Sequence, residues 1–171
     1  MEKAAEGAAA AASLLPPSPL LRPSHGSPPV LWPESLGLLA SMFGIRPGDE
    51  VIVPDVTWVA SATPITYLGG KPVFADIDKE SLCIDHTKVE KLITKKTKAI
   101  VGVNLFGNCP NWKLLRAICR KYSLYLIEDA AGSLGTKYNN KHTGNFGDIS
   151  VFSFNVTKIP MGGQGGVFCT N

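Results

Sequence analysis

The sequence predicts an α/β fold with a mostly parallel β-sheet flanked by helices. Short apolar runs alternate with segments of helical character from Glu50 onward, which is typical of a parallel sheet with helical crossovers. The run 98–103 is apolar almost throughout, as expected for a strand covered on both faces. Six such runs predict six strands of one sheet, centred near Val51, Val73, Ile100, Leu126, Val151 and Val167.

The first 33 residues differ in kind from the rest of the chain. An alanine run at 8–12 is followed by closely spaced prolines and serines, a composition that cannot build a packed core. We therefore predict a disordered leader over 1–33, with an organellar targeting segment as the alternative. The remaining residues, 34–171, are predicted to form one folded unit.

The first two helices are predicted from their breaking residues. A short helix over 34–43 would be closed by Gly44, since glycine favours the left-handed conformation that ends helices. A second helix is predicted over 57–68. Pro64 lies inside that segment and lacks a backbone donor, so we expect it to interrupt and kink the helix.

Two further helices precede the strand near Leu126. The segment 86–93 predicts a short helix, and Pro110 predicts the first turn of a helix that continues through Tyr122. The spacing of the large side chains places an apolar stripe on one face of the second helix, formed by Trp112, Leu115, Ile118 and Tyr122.

Composition excludes several classes of function. The formal net charge is only +3 and is dispersed, which does not indicate a nucleic-acid partner. The cysteines, Cys83, Cys109, Cys119 and Cys169, have irregular spacing and no accompanying histidine pattern, so neither a metal site nor a disulfide framework is predicted. No apolar run is long enough to cross a bilayer, so no membrane partner is expected and a reducing cytoplasmic location is predicted.

The segment 148–171 places one lysine in a glycine-flanked turn between two apolar runs. Alternation over 149–154 predicts a strand in which Ser153 points away from the face that carries the neighbouring phenylalanines. Lys158 follows, and glycines at 162–166 allow the backbone to approach a ligand closely. A lysine held in this way can act as a Schiff-base nucleophile.

A carboxylate ends the preceding strand of the predicted sheet. Asp129 follows the buried run 125–128, and ligands of open parallel sheets bind beyond the carboxyl ends of the strands. Asp129 and the turn with Lys158 can therefore face one crevice. An amine for an aldehyde and an acid for a pyridine nitrogen are the groups that pyridoxal phosphate requires, and Ser153 is a candidate ligand of its phosphate.

Six motifs over 44–171 together resemble one known family. In their order and spacing they are similar to the large domain of the DegT/StrS-type nucleotide-sugar aminotransferases, which have the aspartate-aminotransferase fold and depend on pyridoxal phosphate. The motifs are PGDEVIVP at 47–54, TWVAS at 57–61, GKPVFADID at 70–78, IEDAA at 127–131, GNFGD at 144–148 and FSFNVTK at 152–158.

The resemblance implies a reaction and a role for each site residue. Lys158 would form the Schiff base, Asp129 would pair with the pyridine nitrogen, Ser153 would bind the phosphate, and Trp58 would stack on the cofactor ring. A homodimer would transfer an amino group from an amino acid donor to a nucleotide-linked keto-sugar, in polysaccharide biosynthesis. The dehydratase branch of the family has histidine at the position of Lys158, so the lysine favours transamination. For Trp58 the alternative is a purely packing role.

The chain departs from the family pattern at three places. Where relatives have a Ser/Gly-Thr turn that binds the phosphate, this chain has 33–37 with Glu34, whose charge would repel a phosphate. Gly132 stands where relatives carry a longer polar side chain, and Ser133 is a candidate substitute. The sequence ends at Asn171, so we expect the C-terminal small domain to be absent. The alternative reading is a truncated, catalytically silent relative or partner subunit.

Overall fold

The computed structural model describes residues 43–158, 162 and 165–170. The predicted leader over 1–33, the segment 33–37 and all but the last residue of the helix predicted over 34–43 lie outside these ranges.

A six-stranded sheet forms the centre of the described structure, and all six predicted strands are confirmed. They are β1 Glu50–Pro54, β2 Lys71–Ala75, β3 Thr97–Val103, β4 Tyr125–Asp129, β7 Ile149–Ser153 and β8 Gly166–Thr170. Their order in the sheet is β2-β1-β3-β4-β7-β8. The five strands from β2 to β7 are parallel to their neighbours, and β8 is antiparallel to β7. A separate antiparallel hairpin consists of β5 Lys137–Tyr138 and β6 Lys141–His142.

Side chains of the central strands alternate between two apolar cores, because successive residues of a strand point to opposite faces. Val101 and Ile127 belong to the core that includes Ile65, whereas Ile100 and Leu126 belong to the core that includes Trp112. Both faces of the sheet are therefore covered, which explains the continuous apolar run of β3. The same alternation places Glu128 and Asp129 on opposite faces of β4.

The segment after β1 is not the single kinked helix that we predicted over 57–68. A 3₁₀ turn, Val59–Ser61, precedes a short helix α1, Thr63–Tyr67. Pro64 lies in the first turn of α1, where its missing N–H has no intrahelical partner to lose. The proline therefore begins a helix and does not interrupt one.

The other two predicted helices are present with shifted boundaries. Helix α2 is His86–Val89, continued by a 3₁₀ turn at Glu90–Leu92. Helix α3 is Trp112–Tyr122, and its N-cap is Asn111, whose side chain accepts a hydrogen bond from the Leu114 N–H. The prediction that Pro110 forms the first turn is wrong, because Asn111 caps the helix after it. Of the predicted apolar stripe, Trp112, Leu115 and Ile118 are buried, and Tyr122 is partly exposed.

Because β1, β3, β4 and β7 are parallel, their carboxyl ends meet at one edge of the sheet. Asp129 ends β4, and the segments that follow the other three strands carry Trp58, Asn104 and Lys158. Within the described ranges, no helix has both the length and the apolarity needed to span a membrane.

Candidate active site

A cleft of about 570 Å³ opens at the carboxyl edge of the sheet. The loops after β1, β3, β4 and β7 all contribute to its wall, so the cleft depends on the parallel order of these strands. Its lining includes Trp58, Asn104, Phe106, Asp129, Gly132 and Lys158. The structure thus brings together three of the four predicted site residues, namely Trp58, Asp129 and Lys158.

Asp129 is the last residue of β4, and only 3% of its surface is exposed. Both oxygens of its carboxylate have donors. The Ala131 N–H donates to Oδ1 at 3.1 Å, and the Ser61 hydroxyl donates to Oδ2 at 2.8 Å. The backbone also anchors the residue, since the Asn104 N–H donates to the Asp129 carbonyl at 2.9 Å. The carboxylate is therefore fixed in orientation at the base of the cleft.

Burial raises the pKa of Asp129 above its ordinary value, because the charged form loses its hydration. The hydrogen bonds from Ala131 and Ser61 and the positive charge of Lys158 lower the pKa, while the charge of Glu128 raises it. The lowering effects do not outweigh burial. Asp129 is thus a buried acid whose ionised form would gain from a further cation placed in the cleft.

Lys158 lies in a short turn that follows β7. The Asn155 carbonyl accepts a hydrogen bond from the Lys158 N–H at 2.8 Å, and the Asn155 side chain accepts from the Thr157 N–H at 3.2 Å. These local bonds define the turn. The half-buried Lys158 lines the cleft with Asp129, and its charge acts on the pKa of that carboxyl group.

The other two predicted site residues lie at different depths. Trp58 is 64% exposed and lines the cleft, so it is not a core residue. Ser153 is buried at the end of β7 and does not line the cleft as it stands. Its hydroxyl oxygen accepts a hydrogen bond from the Asn155 N–H at 3.3 Å, and no acceptor for its own proton is present within the described ranges.

Sequence reasoning assigned no role to two hydroxyl residues that the structure places beside Asp129. Ser61 donates to the carboxylate, and Thr57 lies 2.9 Å from the Ser61 hydroxyl. Both residues belong to the TWVAS motif. Their spacing of four residues across a turn was visible in the sequence, but the partner Asp129 is 68 residues away from Ser61 and only the fold reveals it. Ser133, the candidate substitute for the residue at Gly132, instead directs its hydroxyl to the Ala130 carbonyl.

The cysteines and histidines of the described ranges form no part of this cleft. No group of three or more histidine, cysteine, aspartate or glutamate side chains there could hold a metal ion. Cys83, Cys109, Cys119 and Cys169 are free thiols, and burial raises the pKa of Cys119 to about 12.

The fold and the cleft define a class of protein. The mostly parallel sheet with an antiparallel strand at one edge is the fold of the pyridoxal-phosphate fold type I aminotransferases, in the part of that fold that this chain covers. The chain is a member of the DegT/DnrJ/EryC1/StrS aminotransferase family, whose sequence profile matches residues 34–171.

Individual relatives agree with this assignment. The chain is 45% identical over 137 residues to GDP-perosamine synthase of Vibrio cholerae. The matched region covers 80% of this chain and 37% of that protein. It is 41% identical over 140 residues to UDP-2-acetamido-2-deoxy-3-oxo-D-glucuronate aminotransferase of Pseudomonas aeruginosa, covering 81% and 39%. The crystal structure of NtdA from Bacillus subtilis with bound pyridoxamine phosphate superimposes with a TM-score of 0.75 at 33% identity, covering 82% and 32%. The chain thus spans less than two fifths of these relatives.

Proposed function

We propose that this chain forms the cofactor-binding part of an aminotransferase that uses pyridoxal phosphate to aminate a nucleotide-linked keto-sugar, with an amino acid as donor. The observation that carries the proposal is the meeting of Lys158 and the buried Asp129 in one cleft. The names of two relatives, GDP-perosamine synthase and the UDP-linked keto-sugar aminotransferase, support the class of substrate.

The donor set of the cleft fits the cofactor. Pyridoxal phosphate, when bound, supplies a conjugated electron sink for the electrons released at the substrate carbon. A protonated pyridine nitrogen is the kind of cation that would stabilise ionised Asp129, whose pKa burial raises. The cleft also has free space at Gly132, because a Cβ added there would have no neighbour closer than 4.0 Å.

Each site residue has a distinct task in this proposal. Asp129 would hold a proton on the ring nitrogen, and Lys158 would supply the amine for the aldehyde group. As a free amine, Lys158 would also be the base that accepts and returns a proton at the substrate carbon. Trp58 covers the ring from the exposed side of the cleft.

Ser153 is proposed as a ligand of the phosphate. Its buried hydroxyl has accepted one hydrogen bond, from Asn155, and its proton has no acceptor within the described part of the chain. A phosphate oxygen would satisfy that donor.

We also propose a homodimer. Several large apolar side chains that line the cleft are exposed, and such a patch favours contact with a second copy of the chain. They are Val56, Trp58, Phe106 and Leu134.

We propose a cytoplasmic location, because the free thiols match a reducing compartment. We also propose a role in polysaccharide biosynthesis, because that process uses amino sugars made on nucleotide carriers.

Covalent trapping tests the proposal. Pyridoxal phosphate is added to the protein, borohydride reduces the adduct, and peptide mapping locates the label. We expect the label on Lys158, and its loss in Lys158→Ala. Asp129→Ala should keep the label but lose amino transfer from an amino acid to the bound cofactor, because labelling needs only the amine. A label spread over the exposed lysines of 88–98 would contradict the proposal and favour the catalytically silent relative.

A further inference from the structure

We propose that Ser61 is a positioning residue of the cofactor site, which fixes the Asp129 carboxylate against the ring nitrogen and ties it to the segment that carries Trp58. The inference rests on the proposed function, because Asp129 must pair with the ring. Its central contact, however, is a property of the protein without any cofactor.

The contact between Ser61 and Asp129 is short and shielded from water. The Ser61 hydroxyl donates to Oδ2 of Asp129 at 2.8 Å, and the two residues are only 2% and 3% exposed. A hydrogen bond from a neutral donor to a carboxylate is stronger than one between neutral groups, and it is stronger still where water cannot compete. The Asp129 carboxylate is therefore a fixed hydrogen-bond partner of Ser61.

A second hydroxyl extends this contact toward the cleft wall. Thr57 Oγ1 lies 2.9 Å from Ser61 Oγ. An ionised carboxylate can only accept, so the single hydroxyl proton of Ser61 is directed to Asp129. Thr57 must then be the donor to Ser61. Two hydroxyl groups in series thus point their protons toward Asp129, and each polarises the other in the same direction.

The backbone of Ser61 makes a further contact with the segment that carries the indole. Its N–H donates to the Trp58 carbonyl at 3.0 Å and closes the 3₁₀ turn Val59–Ser61. One residue therefore contacts both the acid at the base of the cleft and the segment that carries the exposed indole. Ser61 therefore links the position of the acid to the position of the Trp58 backbone.

Loss of the Ser61 hydroxyl has a definite electrostatic consequence. The bond from Ser61 lowers the pKa of Asp129, in opposition to burial. Its removal favours the protonated, neutral acid. A neutral Asp129 attracts the proton of the ring nitrogen less strongly. The ring nitrogen would then be protonated in a smaller fraction of the molecules, and an unprotonated ring accepts electrons less well.

The test compares variants of the full protein by two spectroscopic measurements. Ser61→Ala removes the hydroxyl, Ser61→Thr retains it, and Thr57→Val removes the outer hydroxyl. The matched control is Ser150→Ala, which deletes an equally buried hydroxyl that donates at 2.8 Å to Glu128, on the other face of β4. A purely structural role would affect Ser61→Ala and Ser150→Ala alike.

The first measurement is the titration of Asp129 in cofactor-free protein, by carbon-13 NMR of labelled aspartate carboxyl groups, with Asp129→Asn for assignment. We expect Ser61→Ala to raise the pKa of Asp129 by about one unit or more, the size expected from a hydrogen bond to a charged group. Thr57→Val should raise it by less, and Ser61→Thr and Ser150→Ala should match the unmodified protein.

The second measurement uses pyridoxal phosphate labelled with nitrogen-15 in the ring. The ring nitrogen should be protonated at neutral pH in the unmodified protein and in Ser150→Ala, and partly deprotonated in Ser61→Ala. An unchanged Asp129 titration in Ser61→Ala would overturn the inference. If that variant does not fold, Thr57→Val decides by the same two signals. If the unmodified protein binds no cofactor, the proposed function fails, while the Asp129 titration still decides the role of Ser61.

Discussion

Glu128 and Asp129 are consecutive buried carboxylates that serve opposite faces of β4. Asp129 lines the cleft with two hydrogen-bond donors on its oxygens. Glu128 faces the other core and is surrounded by donors within 3.3 Å, which are Asn104 Nδ2, the N–H groups of Gly144, Phe146 and Gly147, and Ser150 Oγ. Glu128 therefore organises the loop before β7, whereas Asp129 is available to a ligand.

This arrangement makes Glu128→Gln a destabilising change. The amide nitrogen must replace one of two oxygens, and in either orientation it meets donors such as Asn104 Nδ2 or the Phe146 N–H. We expect a loss of about 3 kcal/mol in the free energy of unfolding, measured with urea. Ser150→Ala removes one donor only and should cost about 1 kcal/mol. Equal losses in the two variants would show that Glu128 does not organise the loop.

Asp129 has the opposite relationship to stability, since burial raises its pKa. Between the unfolded pKa of about 3.9 and the higher folded value, the folded state binds more protons than the unfolded state. The contribution of Asp129 to stability is therefore present at low pH and is lost as the pH rises through the folded pKa. We expect Asp129→Asn to remove this loss, so that the variant gains stability relative to the unmodified chain as the pH rises from 4 to 8. Urea unfolding across that range measures the difference, and parallel curves would contradict it.

The strands were predictable from sequence because each one alternates or is apolar throughout, and both patterns follow from local geometry. The roles of the prolines were less predictable. Whether Pro64 interrupts a helix or begins one depends on where the 3₁₀ turn at Val59–Ser61 ends. Likewise, Asn111 caps α3 after Pro110 because its side chain reaches the Leu114 N–H. In both cases a shift of only one or two residues in where the helix starts decides the role of the proline, which is too little for the sequence pattern to distinguish.

The candidate site likewise has residues that the local sequence reveals and residues that only the fold reveals. Asp129 and Lys158 could be proposed from the sequence because Asp129 ends a strand, Lys158 lies in the turn after a strand, and each belongs to a recognisable motif. Ser61 could not, because its function depends on a contact with a residue 68 positions away. The hairpin of β5 and β6 was also missed. Its turn consists of Asn139 and Asn140, both at positive φ, and carries no glycine.

The packing of Trp112 against β3 makes Gly102 intolerant of a side chain. A Cβ at Gly102 would lie 2.5 Å from the Trp112 ring, and the indole cannot move freely because its N–H donates to Asn104 Oδ1 at 3.1 Å. We expect Gly102→Ala to lower the free energy of unfolding by about 1–3 kcal/mol through overpacking. Gly132→Ala is the control, since its Cβ would have no neighbour closer than 4.0 Å. A loss in the control as large as that at Gly102 would rule out the indole as the cause.

Phe106 is strained and exposed at the wall of the cleft. Its φ of 52° lies in the left-handed region, which is unfavourable for a bulky side chain, and the residue is 83% exposed. Phe106→Gly removes the strain and gives up little buried surface, so we expect the free energy of unfolding to rise by about 1 kcal/mol. Phe74→Gly is the matched control. Phe74 is 52% exposed but lies in β2, where glycine should cost about 1 kcal/mol because it weakens strands. A gain at Phe106 with a loss at Phe74 would mean that the aromatic ring is kept at the cleft against stability, which is typical of residues that contact ligands. A loss at both positions would mean that the ring stabilises the fold where it stands.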